Sequence, residues 1–443
     1  MSILKQVLSD AWSSVTRRSV SEKSPNRPTK ARSPAELAVP VRQAMPTSGM
    51  KAVILNWKAG ENDPFTVVNK TIRQHLHACG KNVEVIEITD IHWPEYLAKL
   101  APTGVEFAFT WQGLGSHVMV GDGSQSLWDH LRIPLICVHG DHPSHMPRNH
   151  QLESKYCFHL YTNAESARYS NRLFRRRRSA SVIDIPQLHR EPRLKHRSGE
   201  YFVVAKNIYD PAITETVWRE RLSTDVLNAY MMAAETLRAR IAAEPYVEVH
   251  DALDNVIVQH QVEWLAPEVN INAYHEYHSE LDHYLRSHKM VTAVNALRDF
   301  PVRIYGRGWD RIAQTAPASH AFERGRNMAD SQEMYYSAYG LVDVSPSKGL
   351  HDRTRRAMAN GTGFLSSANL EDSFPDIDHF DALFFNFRVN ELQEKAAAVV
   401  RDPEAHASLA GEFALRYHDR FHFKAFVDRL DQLAKSIDSS SAA

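Results

Sequence analysis

From Lys51 onward the chain repeats one pattern, a short apolar run followed by a polar stretch able to form helix. KAVILNW, NVEVIEI, VEFAFTW and IPLICVHGD are the first four such runs. Runs this short, apolar without strict alternation, suit strands buried on both faces, as in parallel sheets covered by helices. HLYTNAE and SVIDIPQL carry the pattern to about Leu188, and REPRLKHRSGE, polar with Pro and Gly, reads as a linker. A second series opens with YFVVAK. It continues through helical stretches from about Ile213 to Arg240 and Ala273 to Leu297, then PVRIYGRGWD, GLVDVSP, a helix through RTRRAMAN, and GTGFLSS. The expected fold class is α/β, with domains at 49–195 and 196–418 and a ligand cleft between them at the carboxyl ends of the strands.

Two segments fall outside this pattern. Residues 1–48 are basic and rich in Pro and Ser, which predicts a mobile tail. Its opening, ILKQVLSDAWSSV, reads either as a docking helix or as an inert one. At the other end, 419–437 predicts a helix in which Phe423, Phe426, Leu430 and Leu433 share one face and pack across the domains.

Charge and cysteine usage narrow the function classes. Lys plus Arg total 52 against 53 for Asp plus Glu, a formal charge of -1, so no global field draws the chain to nucleic acid. No zinc-finger, zipper or RNA-binding aromatic pattern appears either. Cys79, Cys137 and Cys157 lie far apart without metal-ligand spacing, which suggests a reducing, cytoplasmic setting. No apolar run reaches about 18 residues and no secretory core is present. Arg175–Arg178 form the densest cationic cluster, either a contact for a membrane surface or other anion, or a solvated patch. His275, His278, His283 and His288 sit on one helical stretch but lack the partners of a metal set, so that stretch reads as a solvated or interdomain helix and no metal is expected.

The most informative segment is VDVSPSKGLHDRTRRAMANGTGFLSS, residues 342–367. Ser345 at a strand end, Gly349 in a loop and a helix starting near Asp352 describe a turn whose free helical N–H groups suit a phosphate. Asp352 has a second reading as the cap of that helix.

With IYGRGW at 304–309, this segment resembles the donor-binding half of nucleotide-sugar glycosyltransferases built from two Rossmann-like domains (GT-B type), specifically a bacterial family resembling the spore-maturation-protein-like glycosyltransferases. The resemblance implies that Gly306, Arg307 and Gly308 bring the backbone close to the donor. It further implies that Ser345, Lys348, Gly349, Leu350, His351, Asp352, Arg353 and Arg356 surround a nucleoside-diphosphate sugar without a metal cofactor. One departure stands out. Many related transferases carry a glutamate where this chain has Arg356, and a guanidinium cannot accept the ribose hydroxyls.

In the first domain, Gly140, Asp141, His142 and Pro143 end an apolar strand, where family members have a comparable Asp and Pro. Asp141 is the first candidate for the base that takes the acceptor hydroxyl proton and His142 the second. A plain Asp turn before Pro143 is the other reading. Trp111 and Gly113 of TWQGLG are candidates for acceptor contact, with Trp111 either stacking on a sugar or serving as a structural tryptophan. Lys206 and Asn207 follow the strand opening the second domain and read as diphosphate or acceptor contacts, or simply as a polar strand exit.

The expected function is transfer of a sugar from a nucleoside-diphosphate sugar to a hydroxyl of a cell-surface glycan or protein. Expected partners are the nucleotide sugar and a glycan or protein acceptor, with peripheral membrane contact and no nucleic acid. A non-catalytic binding module with a degenerate donor site and a sugar-nucleotide epimerase are the alternatives.

Overall fold

The computed structural model describes residues 51–440 except 58–63, 122, 152, 175–177, 186–198, 245, 324–333, 336–337, 346–348, 369, 371–373, 375, 389 and 418–421. The N-terminal segment 1–48, most of the linker, Arg175–Arg177 and Lys348 lie outside the described residues.

The chain is α/β and contains two all-parallel sheets in the Rossmann-like manner. The first comprises β1 (Lys51–Asn56), β2 (Asn82–Glu87), β3 (Val105–Trp111), β6 (Leu135–His139), β7 (Cys157–Tyr161) and β8 (Ser181–Val182), in the order β2-β1-β3-β6-β7-β8. A small antiparallel pair, β4 (Met119–Val120) and β5 (Gln125–Ser126), stands apart from it. The second comprises β9 (Tyr201–Ala205), β10 (Val302–Tyr305), β11 (His320–Glu323), β12 (Ala338–Asp343) and β13 (Phe364–Ser366), in the order β11-β10-β9-β12-β13. Each order reverses direction once, between β1 and β3 in the first sheet and between β9 and β12 in the second. Such switch points open a crevice beyond the carboxyl ends of the strands. The strands are buried almost throughout, which is why their sequences show runs rather than alternation.

Between β9 and β10 the chain inserts a helical module: α3 (Pro211–Arg221), α4 (Thr224–Ala243), α5 (Val249–Gln259) and α6 (Pro267–Ala296). The stretch expected to be helical from Ile213 to Arg240 is thus two helices, broken where Leu222 and Ser223 adopt extended backbone. Helix α6 serves two cores. Its last turns bury Met290, Ala293 and Val294 against Phe202, Val204 and Ile304 of the second sheet. Its earlier turns bury Tyr274, Tyr277, Leu281 and Tyr284 with Tyr169 and Phe174, which belong to the first half. Tyr169 lies on α2 (Ala164–Leu173).

Polar contacts reinforce this seam. Tyr169 Oη pairs with His275 Nδ1 at 2.8 Å, and Arg168 and Arg172 pair with Glu248 and Asp254. The His275 and His278 stretch is therefore an interdomain helix rather than a solvated one. A cavity of about 40 Å³ remains at this seam, lined in part by His142, Glu165, Glu248 and Arg286.

The final helix, α8 (Phe423–Ser440), returns to the first sheet, burying Phe423, Phe426, Val427 and Leu430 in the core beneath β1, β3 and β6. Each large apolar side chain buried this way contributes about 1.5–3 kcal/mol. Lys81 adds ion pairs to Glu106 at 2.7 Å and Asp431 at 3.1 Å. Among the described residues no helix is long and apolar enough to cross a membrane.

Candidate functional site

The carboxyl end of the second sheet, at its switch point, carries a concentration of charge. Strand β9 ends at Ala205 and leads into Lys206; strand β12 ends at Asp343; and α7 (Asp352–Ala359) begins after the loop that follows β12. The Arg353 side chain reaches back across this point, donating from Nη1 to the Ala205 carbonyl oxygen at 2.6 Å, with Nε 3.4 Å from Asp343 Oδ1. Asp343 is fully buried and also accepts from the Thr354 hydroxyl at 2.9 Å. Strand end and helix start are thereby cross-braced.

Lys206 lies among these groups. Its ammonium makes no hydrogen bond or ion pair to any described residue. Burial, with the Arg353 and Arg286 guanidiniums nearby, lowers its pKa to about 7. Asp343 and Asp282, which pair with Arg353 and Arg286, offset part of the repulsion from these cations, so it is chiefly the buried ammonium itself that an anion would relieve.

IYGRGW forms the wall beside it. A Cβ on Gly306 (φ +150°) would fall 2.2 Å from the Lys206 carbonyl oxygen, and one on Gly308 (φ +87°) 2.0 Å from that of Ile208. The close approach these glycines permit is thus to the 206–208 backbone. Three bonds fix it: Trp309 Nε1 to Lys206 O at 2.8 Å, Arg307 N to Asn207 Oδ1 at 2.9 Å, and Ile208 N to Arg307 O at 3.0 Å. The side chains of Arg307 and Asn207 are exposed at the rim.

Helix α7 has different internal chemistry from that expected. His351, not Asp352, is its N-cap, accepting from the Arg353 N–H through Nδ1 at 3.3 Å. Burial and then Arg353 lower the His351 pKa. Asp352 Oδ1 also lies 2.6 Å from His351 Nδ1, a contact made when that nitrogen carries the proton and donates to the carboxylate in place of capping, and Asp352 pairs with Arg356 at 2.5 Å, one helical turn on. Burial would raise its pKa, but His351 and the Arg356 and Arg353 guanidiniums outweigh this and hold the carboxyl well below its ordinary range. Arg356 is thus engaged within its own helix.

Two expectations for this segment are corrected. The Ser345 hydroxyl is buried and donates to the Gly349 carbonyl oxygen at 2.8 Å, so it closes the loop. The Leu350 side chain is in the apolar core and has no surface for a ligand. Gly349 itself faces the other half, since a Cβ there would lie 3.4 Å from the Thr162 carbonyl oxygen. Arg355 also crosses the gap, donating to the Ile185 carbonyl oxygen. The strand-end loops of the two sheets therefore meet.

On the first-half side, Asp141 is exposed and accepts from Gln112 Nε2 at 2.8 Å. Gln112 (φ +53°) and Gly113 (φ +64°) form a tight left-handed turn, and a Cβ on Gly113 would strike Asn149 O at 2.7 Å. This glycine shapes the turn that presents Gln112 to Asp141.

His142 is less available than expected. Its Nδ1 accepts from the Ser144 N–H at 3.3 Å, its ring stacks on His278 at 4.1 Å, and burial followed by His278 holds its pKa well below normal. Of the two readings of Trp111, the structure favours the structural one. This residue is 5% exposed, its indole N–H donates to Asn69 at 2.9 Å, and its ring stacks on Phe426. It is a core residue and offers no face to a sugar. The exposed tryptophan at this switch point is Trp57, directly after β1, the last residue of KAVILNW.

A further group was not anticipated from sequence. His145 Nε2 lies 2.9 Å from Asp282 Oδ2, and Arg286 is 2.6 Å from the same oxygen. Burial would raise the Asp282 pKa, but Arg286 and then His145 hold it well below normal. His283 stacks on His145 at 4.5 Å, and burial, with His145 next, pushes its pKa down to about 3. Asp282, His283 and Arg286 come from the helical module and His145 from the loop after β6; their proximity has no local signature in the sequence.

No family profile matches the chain, and no protein of curated function matches its sequence. Solved structures similar in fold include T4 phage BGT in complex with UDP-glucose (TM-score 0.45, 8% identity, covering 87% of this chain and 99% of that one). Another is the spinosyn rhamnosyltransferase SpnG complexed with thymidine diphosphate (TM-score 0.36, 11% identity, 86% of this chain and 100% of that one). A third is TarM (TM-score 0.34, 11% identity), where the match covers 68% of this chain and only 54% of the TarM chain. At these distances neither residue roles nor substrates transfer.

Proposed function

We propose that the chain is a glycosyltransferase that uses a nucleoside-diphosphate sugar. The observation that carries this reading is the β9/β12 switch point, where Arg353 at the start of α7 reaches the Ala205 carbonyl oxygen at 2.6 Å beside the partly buried Lys206, whose pKa is lowered to about 7. A diphosphate there would give the Lys206 ammonium the partner it lacks among the described residues, and the start of α7 adds the positive end of a helix dipole. The donor sugar would then point toward the loops of the first sheet.

In direct displacement, the acceptor hydroxyl oxygen bonds to the anomeric carbon as the bond from that carbon to the diphosphate oxygen breaks. The hydroxyl proton passes to the Asp141 carboxylate, which Gln112 orients, and the charge growing on the leaving diphosphate is met by Lys206 and Arg353. This geometry inverts configuration. The acceptor is proposed as a hydroxyl of a cell-surface glycan or protein, approaching past exposed Trp57.

A thermal-shift panel of nucleoside diphosphates on wild type and Lys206→Met tests the donor site. A selective stabilisation of wild type that the variant lacks supports the site; no stabilisation by any nucleoside diphosphate at millimolar concentration rules it out.

The ion pair between Arg356 and Asp352 favours a second reading, a binding module whose ribose pocket is altered. Nucleotide binding without release of free nucleoside diphosphate from any nucleotide sugar, with or without acceptor glycans, would select it.

A further inference from the structure

Cys137, His139 and His159 bring three ligand atoms to within 4.8 Å of one another in the interior of the first sheet. Cys137 and His139 are two residues apart on β6 and so point to the same face. His159 is the register partner of Cys137 on the adjacent parallel strand β7 and joins them on that face. Their exposures are 0%, 0% and 3%.

The spacing admits a metal ion. Without one, His139 Nε2 and His159 Nδ1 share a hydrogen bond at 3.0 Å. Two imidazole nitrogens bound to tetrahedral zinc at about 2.0–2.1 Å are separated by about 3.3 Å, and a thiolate sulfur at about 2.3 Å completes a set of matching span. One thiolate and two imidazoles form a borderline-soft donor set that excludes magnesium and calcium, which require oxygen. The His150 ring packs against this group, its centroid 4.1 Å from that of His139 and its Nδ1 bonded to the Tyr161 hydroxyl at 2.6 Å, while its nitrogens lie outside the three-ligand cluster.

We infer that Cys137, His139 and His159 form a structural site for one zinc ion, fastening β6 to β7 beneath the loops that carry Gln112 and Asp141. Loading exchanges the Cys137 S–H bond for an S–Zn bond and releases that proton to solvent, while the proton shared by His139 Nε2 and His159 Nδ1 moves to the other nitrogen of its ring, with no change in oxidation state. The His139 ring props the Gln112 turn, since a Cβ on Gly113 would lie 2.9 Å from His139 Cε1. The metal would therefore fix the position of Asp141 from below without touching substrate. The site is separate from the diphosphate site and independent of what the donor site binds.

The test uses the full chain, stripped with a chelator and reloaded with zinc or cobalt(II), then dialysed. Expected are about one equivalent of metal per chain, a higher melting temperature with zinc than after stripping, and a thiolate-to-cobalt charge-transfer absorption. Cys137→Ser should abolish that absorption and reduce retained metal at least tenfold, and His159→Gln should reduce it similarly. Cys79→Ser, at an exposed cysteine, should change neither. Absence of retained metal in reloaded wild type overturns the inference, and because that readout uses no variant, a misfolded mutant does not obscure it. Retention that survives Cys137→Ser, or that follows Cys79, overturns it equally.

Discussion

The Arg353 guanidinium donates to the Ala205 carbonyl oxygen at 2.6 Å, fastening the first turn of α7 to the end of the central strand of the second sheet. Arg353 therefore has both a structural bond and a charge directed at the Lys206 neighbourhood. Arg353→Lys keeps the charge but loses the planar fork that spans Ala205, Asp343 and His351. Nucleoside diphosphate affinity should fall roughly tenfold or more, about 1.4 kcal/mol, by isothermal titration. Unchanged affinity would remove Arg353 from the donor site.

Lys206 links binding to pH. At pH 8 a group with a pKa of about 7 is mostly neutral, and a bound diphosphate raises that pKa, so binding takes up a proton. Titrations in buffers of different ionisation enthalpy should show uptake approaching one proton at pH 8 and little at pH 6. Affinity should weaken as pH rises through 7, and Lys206→Met should abolish the uptake.

The same residue makes a stability prediction of opposite sign. The folded-state pKa lies below the ordinary lysine value of 10.5, so between pH 7 and 10.5 the unfolded chain holds the proton that the folded chain has released. Stability from this group therefore rises with pH across that window and is lowest below pH 7. Lys206→Met should raise the melting temperature, most clearly near pH 6, while removing nucleotide binding. A destabilised variant at pH 6 would contradict this.

Asp141→Asn preserves the contact with Gln112 in shape but cannot take a proton. Transfer should fall by about 10²–10⁴-fold, with nucleotide affinity and melting temperature close to wild type. A steady-state assay of nucleoside diphosphate release measures the first, and thermal shift the second.

The two tryptophans separate core from surface. Trp111→Ala should cost about 3–5 kcal/mol in denaturant unfolding, since it empties the space against Phe109 and Phe426. Trp57→Ala should stay within about 0.5 kcal/mol of wild type and, under the acceptor proposal, raise the acceptor KM.

The strands were legible because burial on both faces leaves an unbroken apolar run, as in KAVILNW, VEFAFTW and YFVVAK, which became β1, β3 and β9. Strand ends were legible too, since a polar residue closing a buried run, such as Lys206, must emerge into a loop. What a side chain meets across the fold was not. TWQGLG does not reveal that Trp111 turns inward against a helix more than 300 residues later, and GLHDRTRR does not reveal that His351 caps its helix while Asp352 bonds to Arg356. Neither His145 nor Asp282 has neighbours in sequence that announce the other. The same limit applies to Cys137 and His159, which meet through strand register rather than through a spacing readable along the chain.

Helix α6 has a consequence for how a reaction here would be timed. It is built into the second sheet at one end and held against the first half at the other through Tyr169–His275, Ser144–His278 and His145–Asp282. Swinging the halves apart would break all of these at once, together with the Arg168 and Arg172 ion pairs. With this seam intact, the two halves would move less like a jaw than like a single block. Its reactants would be exchanged by small movements of strand-end loops, and its catalytic groups would already stand in register before either substrate arrives.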